Sequence, residues 1–260
     1  IFVIEFLQVT SIPQNEAKIQ VLDVGQGLSV VVRTANHLLV YDVGDKYPSG
    51  FNLGDAVLLP YLRTLTANKI DKLIISHQDS DHSGGLAAVV KQMSIGELIS
   101  NHSSSENNWQ HCHDTKSWQW DGVVFYFLQP EYISNLSENN RSCVLVIENQ
   151  YQRIILPGDI EKKMEIKYLP QLPKDRKSTI LIAPHHGSKT SSSLRFLKTI
   201  SPDAIIISSG KNNRYHFPHK KIIDRYSAIG AKIYNTAICG MSSWHMTQSF
   251  KIEPVQCYHH

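Results

Sequence analysis

Short runs of apolar residues recur along the chain and favour a β-rich fold with interleaved helices. Several runs are continuously apolar rather than alternating, which is typical of strands buried on both faces of a sheet. The runs predict strands at 18–24, 29–33, 38–42, 72–76, 123–128, 143–148, 153–156, 179–183 and 204–208.

Apolar residues at helical spacing lie between these strands and predict amphipathic helices. The four groups are Leu58, Leu62 and Leu65; Leu86, Val89, Val90 and Met93; Leu194, Leu197 and Ile200; and Ile222, Ile223, Tyr226 and Ile229. Meandering strands followed by strand–helix alternation predict sheets covered by outer helices, an α/β (α+β) fold. No position divides two cores, so we expect a single domain over residues 1–260.

The composition is that of a globular protein. The 260 residues are 42% apolar and 19% charged, which excludes a disordered chain, a collagen and a coiled coil. The net charge of +3 implies no general affinity for polyanions, so nucleic-acid binding would require local clusters of basic residues. The thirteen histidines direct attention to metal ligands.

The two ends of the chain carry little functional information. The apolar segment 1–7 contains a glutamate and is shorter than the roughly 20 residues of a membrane-spanning helix. No initiator Met or basic region precedes it, so it is not a signal peptide, and we expect a piece excised from a longer protein. His259 and His260 could be native or a tag remnant, so no site is built on them.

The cysteines do not form a C-x-x-C pair, and the chain is too long for a disulfide scaffold. We therefore expect free structural thiols, although an even number leaves bridges open, and the compartment stays undecided. The four are Cys112, Cys143, Cys239 and Cys257.

The densest group of candidate metal ligands directly follows the predicted strand 72–76. It comprises His77, Asp79, Asp81 and His82, and a Gly-Gly pair then leads into a helix. A tight turn here can direct side chains two residues apart to one metal and the adjacent Asp–His pair to a second. The alternative is a charged turn that caps the helix, with Asp81 or Ser83 as the N-cap.

This segment resembles the H-x-H-x-D-H motif of the metallo-β-lactamase superfamily, with Asp79 in place of the second histidine. Together with D-V-G-Q-G at 23–27, it resembles the C-terminal domain of the ComEC family of DNA-internalisation proteins. The resemblance runs from about residue 21 to about residue 240. Further matching segments are 41–44 (YDVG), 59–63 (LPYLR), 156–160 (LPGDI), 184–188 (PHHGS) and 213–219 (NRYHFPH).

The resemblance implies an αββα sandwich with two divalent metal ions at one edge of the sheets. The metal ligands would be His77 and Asp79 for the first ion, Asp81 and His82 for the second, Asp159 as a bridge, and His185 or His186. The catalytic residues would be Asp81 and His219, and the substrate-binding residues Ser188, Lys189, Arg214, Lys220 and Lys221. Taken singly, Asp159 could be an ordinary turn residue, and His185, His186 and His219 could lie at helix starts.

The chain departs from the superfamily pattern in ways that bear on the metal. The third metal-binding motif, at 138–145, has no histidine and shows the N-x-S pattern of the ComEC family at 139–142, while Leu28 and Phe217 replace an Asp and a His. With Asp79, this gives an oxygen-rich site that favours Mn²⁺, with Zn²⁺ possible. The cluster His111–Cys112–His113 lacks the second half of a zinc site and is interpreted as a polar loop.

Basic residues cluster after Asp159 and around His219, where they could neutralise phosphates. The clusters are Lys162, Lys163, Lys167, Lys174, Arg176 and Lys177, and Lys211, Arg214, Lys220, Lys221 and Arg225. Tyr215 and Phe217 lie within the second cluster and could stack on bases. The alternative interpretation is a solvated helix face.

The resemblance implies a nuclease that degrades the non-imported DNA strand during natural transformation. Its partners would be single-stranded DNA, a transmembrane channel domain of the parent protein and the DNA-uptake machinery, with the domain itself a monomer. It would be a soluble domain on the periplasmic side of an inner-membrane parent. Two alternatives stay open: a hydrolase of small phosphodiesters or esters, and a non-enzymatic DNA-binding module with a degenerate metal site.

Overall fold

A computed structural model describes residues 11–102, 109–129, 135–172 and 174–258. The strands are β1 (Ala17–Val21), β2 (Val30–Arg33), β3 (Leu38–Tyr41), β4 (Lys69–Ile75), β5 (Ser94–Ser100), β6 (Gln110–His111), β7 (Trp118–Trp120), β8 (Val123–Phe127), β9 (Leu145–Glu148), β10 (Gln152–Leu156), β11 (Ser178–Ile182), β12 (Ala204–Ile207), β13 (Lys232–Asn235), β14 (Met241–Met246) and β15 (Gln256–Tyr258). They form two sheets, ordered β15-β14-β1-β2-β3-β4-β5-β6 and β13-β12-β11-β10-β9-β8-β7.

The helices are short. They are α1 (Leu59–Thr64), α2 (Ser80–Ser83), α3 (Leu86–Gln92), α4 (Lys162–Tyr168), α5 (Leu194–Ile200), α6 (Lys220–Ala228) and α7 (Thr236–Cys239). Of these, α1, α3, α4, α5 and α6 lie on the outer faces of the two sheets. A π-helical turn at Gly54–Leu58 precedes α1, and 3₁₀ turns occur at Cys112–Asp114, Asn139–Arg141, Leu169–Gln171 and Pro184–Gly187. None of the described helices has the length and apolar composition needed to cross a membrane.

Three apolar layers hold the fold together. Between the sheets, Ile19, Tyr41 and Ile74 of the first sheet belong to the same buried cluster as Phe125 and Ile154 of the second. Two further clusters lie on the outer faces: Leu59, Leu62 and Val89 from α1 and α3 pack on the first sheet, and Met164, Phe196 and Tyr226 from α4, α5 and α6 pack on the second. The αββα sandwich predicted from the sequence is therefore confirmed.

The parallel strand pairs determine where polar side chains converge. Strands β3 and β4 run parallel in the first sheet, and β10, β11 and β12 run parallel in the second. The carboxyl ends of parallel neighbours lie at the same edge of a sheet. Asp42 follows β3, His77 follows β4, Asp159 follows β10, and His185 and His186 follow β11.

The predicted strands are all present, with ends shifted by no more than about three residues. The first ends earlier than predicted, at Val21, because residues 23–27 turn away towards the site. Sequence reasoning missed β5, β6, β7, β13, β14, β15 and α4, in which polar or charged residues interrupt the apolar pattern. Our interpretations of segment 1–7 and of the last two residues lie outside the described part of the chain.

The expectation of free cysteines was wrong. Cys112 is bonded to Cys143 and Cys239 to Cys257, with Cα–Cα distances of 5.9 and 4.8 Å. Both distances lie in the range that a disulfide requires. The first bridge joins the segment around His111 to Cys143, within the third metal-binding motif. The segment interpreted as a polar loop is therefore a 3₁₀ turn held by a disulfide.

Candidate metal centre

Two histidines and two aspartates form a tight cluster at the shared edge of the sheets. One ligand atom from each of Asp81, His82, Asp159 and His186 lies within 4.8 Å of the others. The Nε2 atoms of His82 and His186 are 3.1 Å apart, and Asp159 Oδ1 lies 3.2 Å from His82 Nε2. Asp81 Oδ2 lies 3.3 Å from His186 Nε2. This is the ligand chemistry of a divalent-metal site.

The second ring nitrogen of each clustered histidine is bound to an oxygen. His82 Nδ1 lies 2.8 Å from Asp42 Oδ2, and His186 Nδ1 lies 2.9 Å from the backbone oxygen of Ser208. A carbonyl oxygen only accepts hydrogen bonds, so the proton of a neutral His186 ring sits on Nδ1. Outer partners of this kind orient metal-binding imidazoles, leaving Nε2 as the ligand atom.

The same arrangement recurs beside the cluster at His77 and His185. His77 Nδ1 lies 2.9 Å from Ser76 Oγ, and His185 Nδ1 lies 3.2 Å from Thr190 Oγ1. His77 Nε2 is buried, lies 3.5 Å from Asp79 Oδ2 and makes no hydrogen bond in the described residues. His185 Nε2 lies 3.6 Å from Asp159 Oδ2. A buried ring nitrogen without a partner is costly unless a ligand completes it.

Electrostatics favour a cation at the centre of the cluster. Burial by itself lowers the pKa of His82, but the carboxylates of Asp159 and Asp42 outweigh burial and raise that pKa well above its ordinary value. Burial likewise opposes ionisation of Asp159, yet the neighbouring His82 and His186 hold its pKa well below the usual range. The two facing Nε2 atoms and the two carboxylates therefore need positive charge between them, supplied by protons or by metal ions.

The pKa values of Asp81, His186 and His185 are shifted in different directions. Burial opposes the ionisation of Asp81, but His82 and His186 lower its pKa to about 2. The pKa of His186 is raised, because Asp159 and the hydrogen bond with Asp81 outweigh burial. The pKa of His185 is lowered, chiefly by burial. This shift favours the neutral ring of His185 at pH 7.

The backbone is shaped to bring these side chains together. A Cβ at Gly27 would lie 2.4 Å from the backbone oxygen of Asp81, so only glycine permits this close approach. His185 and His186 both adopt left-handed conformations, with φ of 50° and 54°. This conformation is unusual for residues other than glycine and marks local strain that the surrounding structure must hold.

Comparison with known proteins identifies the family to which this site belongs. A sequence profile described as the Metallo-beta-lactamase superfamily matches residues 22–211. The chain belongs to this superfamily. It is 37% identical over 230 residues to the Competence protein ComA of Neisseria gonorrhoeae, covering 88% of this chain and 32% of that protein. It is 34% identical over 225 residues to Recombination protein 2 of Haemophilus influenzae, covering 86% of this chain and 28% of that protein.

The expected resemblance to the ComEC family of competence proteins is thereby confirmed. The chain spans about 30% of the length of these curated relatives. Among solved structures, it is similar to Igni18, a metallo hydrolase from Ignicoccus hospitalis, with a TM-score of 0.55 and 13% identity over 87% of this chain and 98% of that one. At this identity, the likeness concerns the fold alone.

The third metal-binding motif of the superfamily is replaced here by hydrogen-bonding groups. Ser142 Oγ accepts from the backbone N–H of Asp159 at 3.0 Å and lies 3.4 Å from His77 Nδ1. Asn139 Nδ2 lies 3.4 Å from His185 Nε2. Ser142 thus fixes the strand-end turn of Asp159, and the motif supports the other ligands.

The predicted substrate-binding residues differ in their exposure to solvent. Ser188 is buried and its hydroxyl contacts Thr190 at 3.1 Å, so it does not line an open surface. Lys220 is exposed and paired with Asp224 at 2.8 Å. Lys189 and Lys221 are also exposed.

His219 lies outside the tight cluster. Its ring centroid is 5.3 Å from that of Phe217, and the Phe217 centroid is 5.6 Å from that of His185. The pKa of His219 is lowered by burial and by the charges of Lys189 and His216, which favours the neutral ring at pH 7.

The first predicted basic cluster is divided between the two ends of the sandwich. Lys162 begins α4, and its Nζ donates to the backbone oxygen of Lys189 near the site. Lys177 immediately precedes β11, at the amino end of the parallel strands, and pairs there with Glu148 at 3.0 Å. The two parts of the cluster therefore lie towards opposite ends of β11, and Lys177 is paired away from the metal centre.

Sequence reasoning did not identify the residues that orient the metal ligands. Asp42 is fully buried and accepts from the backbone N–H and the hydroxyl of Ser76 as well as contacting His82. Ser208 contributes a backbone carbonyl, which no side-chain pattern can reveal. The available signal for Asp42 was its place directly after a buried strand, next to the strand that leads to His77.

Proposed function

We propose that this chain is a metal-dependent phosphodiesterase domain that hydrolyses single-stranded DNA. In the parent protein it would degrade the strand that is not imported during DNA uptake. The support is the metallo-β-lactamase fold together with relatives named for competence and recombination. Those names describe whole proteins of which this chain covers about 30%, so substrate and partners are part of the proposal.

One observation carries the proposal: four imidazoles have Nδ1 next to an oxygen and Nε2 next to a carboxylate. The residues that would hold two metal ions are His77, Asp79, Asp159 and His185 for one, and Asp81, His82, Asp159 and His186 for the other. When bound, divalent cations supply Lewis-acid polarisation of a phosphoryl group and make water more acidic. His186 takes the place in the tight cluster that the sequence assigned first to His185.

The protein residues then have distinct tasks. Asp42 and the Ser208 carbonyl hold the His82 and His186 rings in place. Asp159 lies between His185 on one side and His82 on the other, which suits a bridging carboxylate. His219, neutral at pH 7 before substrate binds, would contact a phosphate oxygen and take up a proton in its negative field. Because three carboxylates contribute oxygen atoms, we expect Mn²⁺ to serve better than Zn²⁺.

The two disulfides support a place for the domain outside the cytoplasm. Disulfides persist in oxidising compartments such as the bacterial periplasm and are rare in the cytosol. We therefore propose that the domain faces the periplasmic side of an inner-membrane parent. Its partners would be single-stranded DNA, the channel domain of the parent and the DNA-uptake machinery, and the domain itself would act as a monomer.

The test is cleavage of end-labelled single-stranded DNA by metal-stripped protein to which Mn²⁺, Zn²⁺ or EDTA is added. We expect metal-dependent cleavage that is abolished in Asp159→Asn and retained in Asp71→Asn, a control at the end of β4 away from the site. Metal binding without DNA cleavage, but with turnover of a small phosphodiester, would favour the small-substrate alternative. DNA binding that is unaffected by EDTA, with neither cleavage nor metal uptake, would favour the binding module.

A further inference from the structure

A row of stacked side chains leads from the metal centre to the surface. The ring of Phe217 lies 5.6 Å from that of His185 and 6.5 Å from that of His186. Tyr215 stacks on Phe217, with ring centroids 5.4 Å apart and planes 20° apart. The guanidinium of Arg214 lies over Tyr215 at 4.7 Å from the ring centroid. The row therefore runs from buried imidazoles to an exposed cation.

Core packing does not account for this arrangement. Tyr215 is 44% exposed and Phe217 is half-buried, whereas the aromatic residues of the core are almost fully buried. Aromatic rings at the surface lose the stabilisation that burial supplies. Their position beside the metal ligands, in a loop rather than on a strand, points to a role in binding.

The loop that carries the rings is held in place by one side chain. Asn213 Oδ1 accepts from the backbone N–H of Tyr215 at 3.2 Å and of Phe217 at 2.9 Å. Its Nδ2 donates to the backbone oxygens of Gly210 and Phe217 at 2.9 and 2.6 Å. A surface held by this many hydrogen bonds loses little conformational entropy when a ligand binds.

The other end of the loop packs against the segment that carries the two strained histidines. A Cβ at Gly187 would lie 2.6 Å from Pro218 Cβ, so the loop and the His185–His186 turn are in close contact. The backbone N–H of His219 donates to the oxygen of Gly187 at 3.1 Å. The stacked rings are thus at a fixed position relative to the metal ligands.

We propose that Tyr215 and Phe217 form a stacking platform that binds an unpaired nucleobase of the strand whose phosphate lies at the metal centre. This inference rests on the proposed function and adds the feature that selects single strands. Bases in a duplex are stacked on each other and cannot lie on a protein ring, whereas any unpaired base offers a π-face. Arg214 occupies the outer face of the platform until the base arrives, where its planar guanidinium can stack on the base or turn to a phosphate.

Binding assays in EDTA separate the platform from hydrolysis. The probes are an oligothymidylate and an oligonucleotide of equal length and charge in which abasic residues replace every base. Stacking on one base accounts for a loss of roughly 5- to 150-fold in Kd when the ring is removed. We expect the abasic probe to bind the parent more weakly by at least that lower factor, and Tyr215→Leu to lose most of this difference.

Two matched variants complete the design. Tyr215→Phe keeps the ring and should keep the preference for the base-containing probe. Phe250→Leu removes another exposed ring, 58% exposed, which packs against Tyr151 beside the amino end of β11, and it should leave both affinities unchanged. Melting temperatures identify any variant that fails to fold.

Equal affinity of the parent for both probes would overturn the platform. So would a Tyr215→Leu variant that keeps the full preference. Failure of the proposed function is a separate outcome: base-dependent binding that Tyr215→Leu removes, in a protein that cleaves no DNA with any metal, would support the platform and reject the nuclease.

Discussion

Replacement of Asp42 by Asn is the most informative perturbation of the metal centre, because it leaves every metal ligand intact. Asp42 accepts three hydrogen bonds, from the backbone N–H of Ser76 at 2.7 Å, from the Ser76 hydroxyl at 2.8 Å and from His82 Nδ1 at 2.8 Å. An asparagine has one acceptor oxygen and one NH₂ group in the same place. If the oxygen stays on the Ser76 N–H, the NH₂ group faces His82.

That exchange reverses the proton positions on the His82 ring. An NH₂ group donates, so His82 Nδ1 must accept, and the ring proton moves to Nε2. Nε2 then points a proton at His186 Nε2, 3.1 Å away, and is no longer free to bind a metal. Loss of an outer partner of a metal ligand typically costs 10- to 100-fold in affinity. We expect Asp42→Asn to bind Mn²⁺ and Zn²⁺ weaker by about that factor, or about 1.4–2.8 kcal/mol.

The measurement is a chelator-competition titration of metal affinity, paired with thermal melts in EDTA. The metal-free variant should lose no more than about 3 kcal/mol, since one buried donor near Ser76 loses its acceptor. Asp71→Asn is the control, because Asp71 lies at the opposite end of β4 and accepts from the backbone N–H of Leu38 at 3.0 Å. Unchanged metal affinity in Asp42→Asn, with the control also unchanged, would refute the proposed orientation of His82.

Three further predictions concern DNA, the metal and pH. Neutralising Arg214, Lys220 and Lys221 together should reduce the salt dependence of single-stranded DNA binding by roughly 0.7 in log–log slope for each phosphate that these side chains neutralise in the parent; an unchanged slope would remove these residues from the DNA path. Phosphodiesterase turnover should be greater with Mn²⁺ than with Zn²⁺, and higher turnover with Zn²⁺ would contradict the oxygen-rich ligand set. Burial opposes ionisation of Asp121, but hydrogen bonds from Thr34, His37 and Asn36 lower its pKa well below the usual range. The ionised carboxylate therefore stabilises the folded state above about pH 4, and this stabilisation is lost as pH falls towards the lowered pKa. The melting-temperature difference between parent and Asp121→Asn should accordingly be largest near pH 7 and shrink towards pH 2, and a difference independent of pH would exclude this cause.

Most strands and the α/β class could be predicted from local patterns, whereas the αββα sandwich and the edge that carries the site were implied by the resemblance to the superfamily. Continuous apolar runs at 72–76, 153–156 and 179–183 predicted buried strands, and each run ends just before a candidate ligand. Parallel strands place the ends of β10 and β11 together within one sheet, while His77 follows β4 of the other sheet. That His77 and Asp159 lie at one shared edge was implied by the resemblance to the superfamily. The polar residues within β14 and the charged surface of α4 gave weaker signals.

The partners of the ligands could not be predicted, because they depend on pairings distant in sequence. The Ser208 backbone oxygen reaches His186 only because β12 lies beside β11 in the sheet. The choice of His186 over His185 for the tight cluster depends on two left-handed backbone conformations that the sequence does not specify. The disulfides join residues 31 and 18 positions apart, and no local pattern links them.

Metal stoichiometry of the purified chain is the most direct test of the central claim that the converging Nε2 atoms and carboxylates bind divalent cations. The protein is purified without chelator, dialysed against Mn²⁺ and analysed for bound metal, beside Asp159→Asn prepared in the same way. The ligand arrangement predicts two ions per chain in the parent and a loss of most bound metal in the variant, with both proteins folded. A parent that takes up no metal, or a variant that retains both ions, would contradict the account.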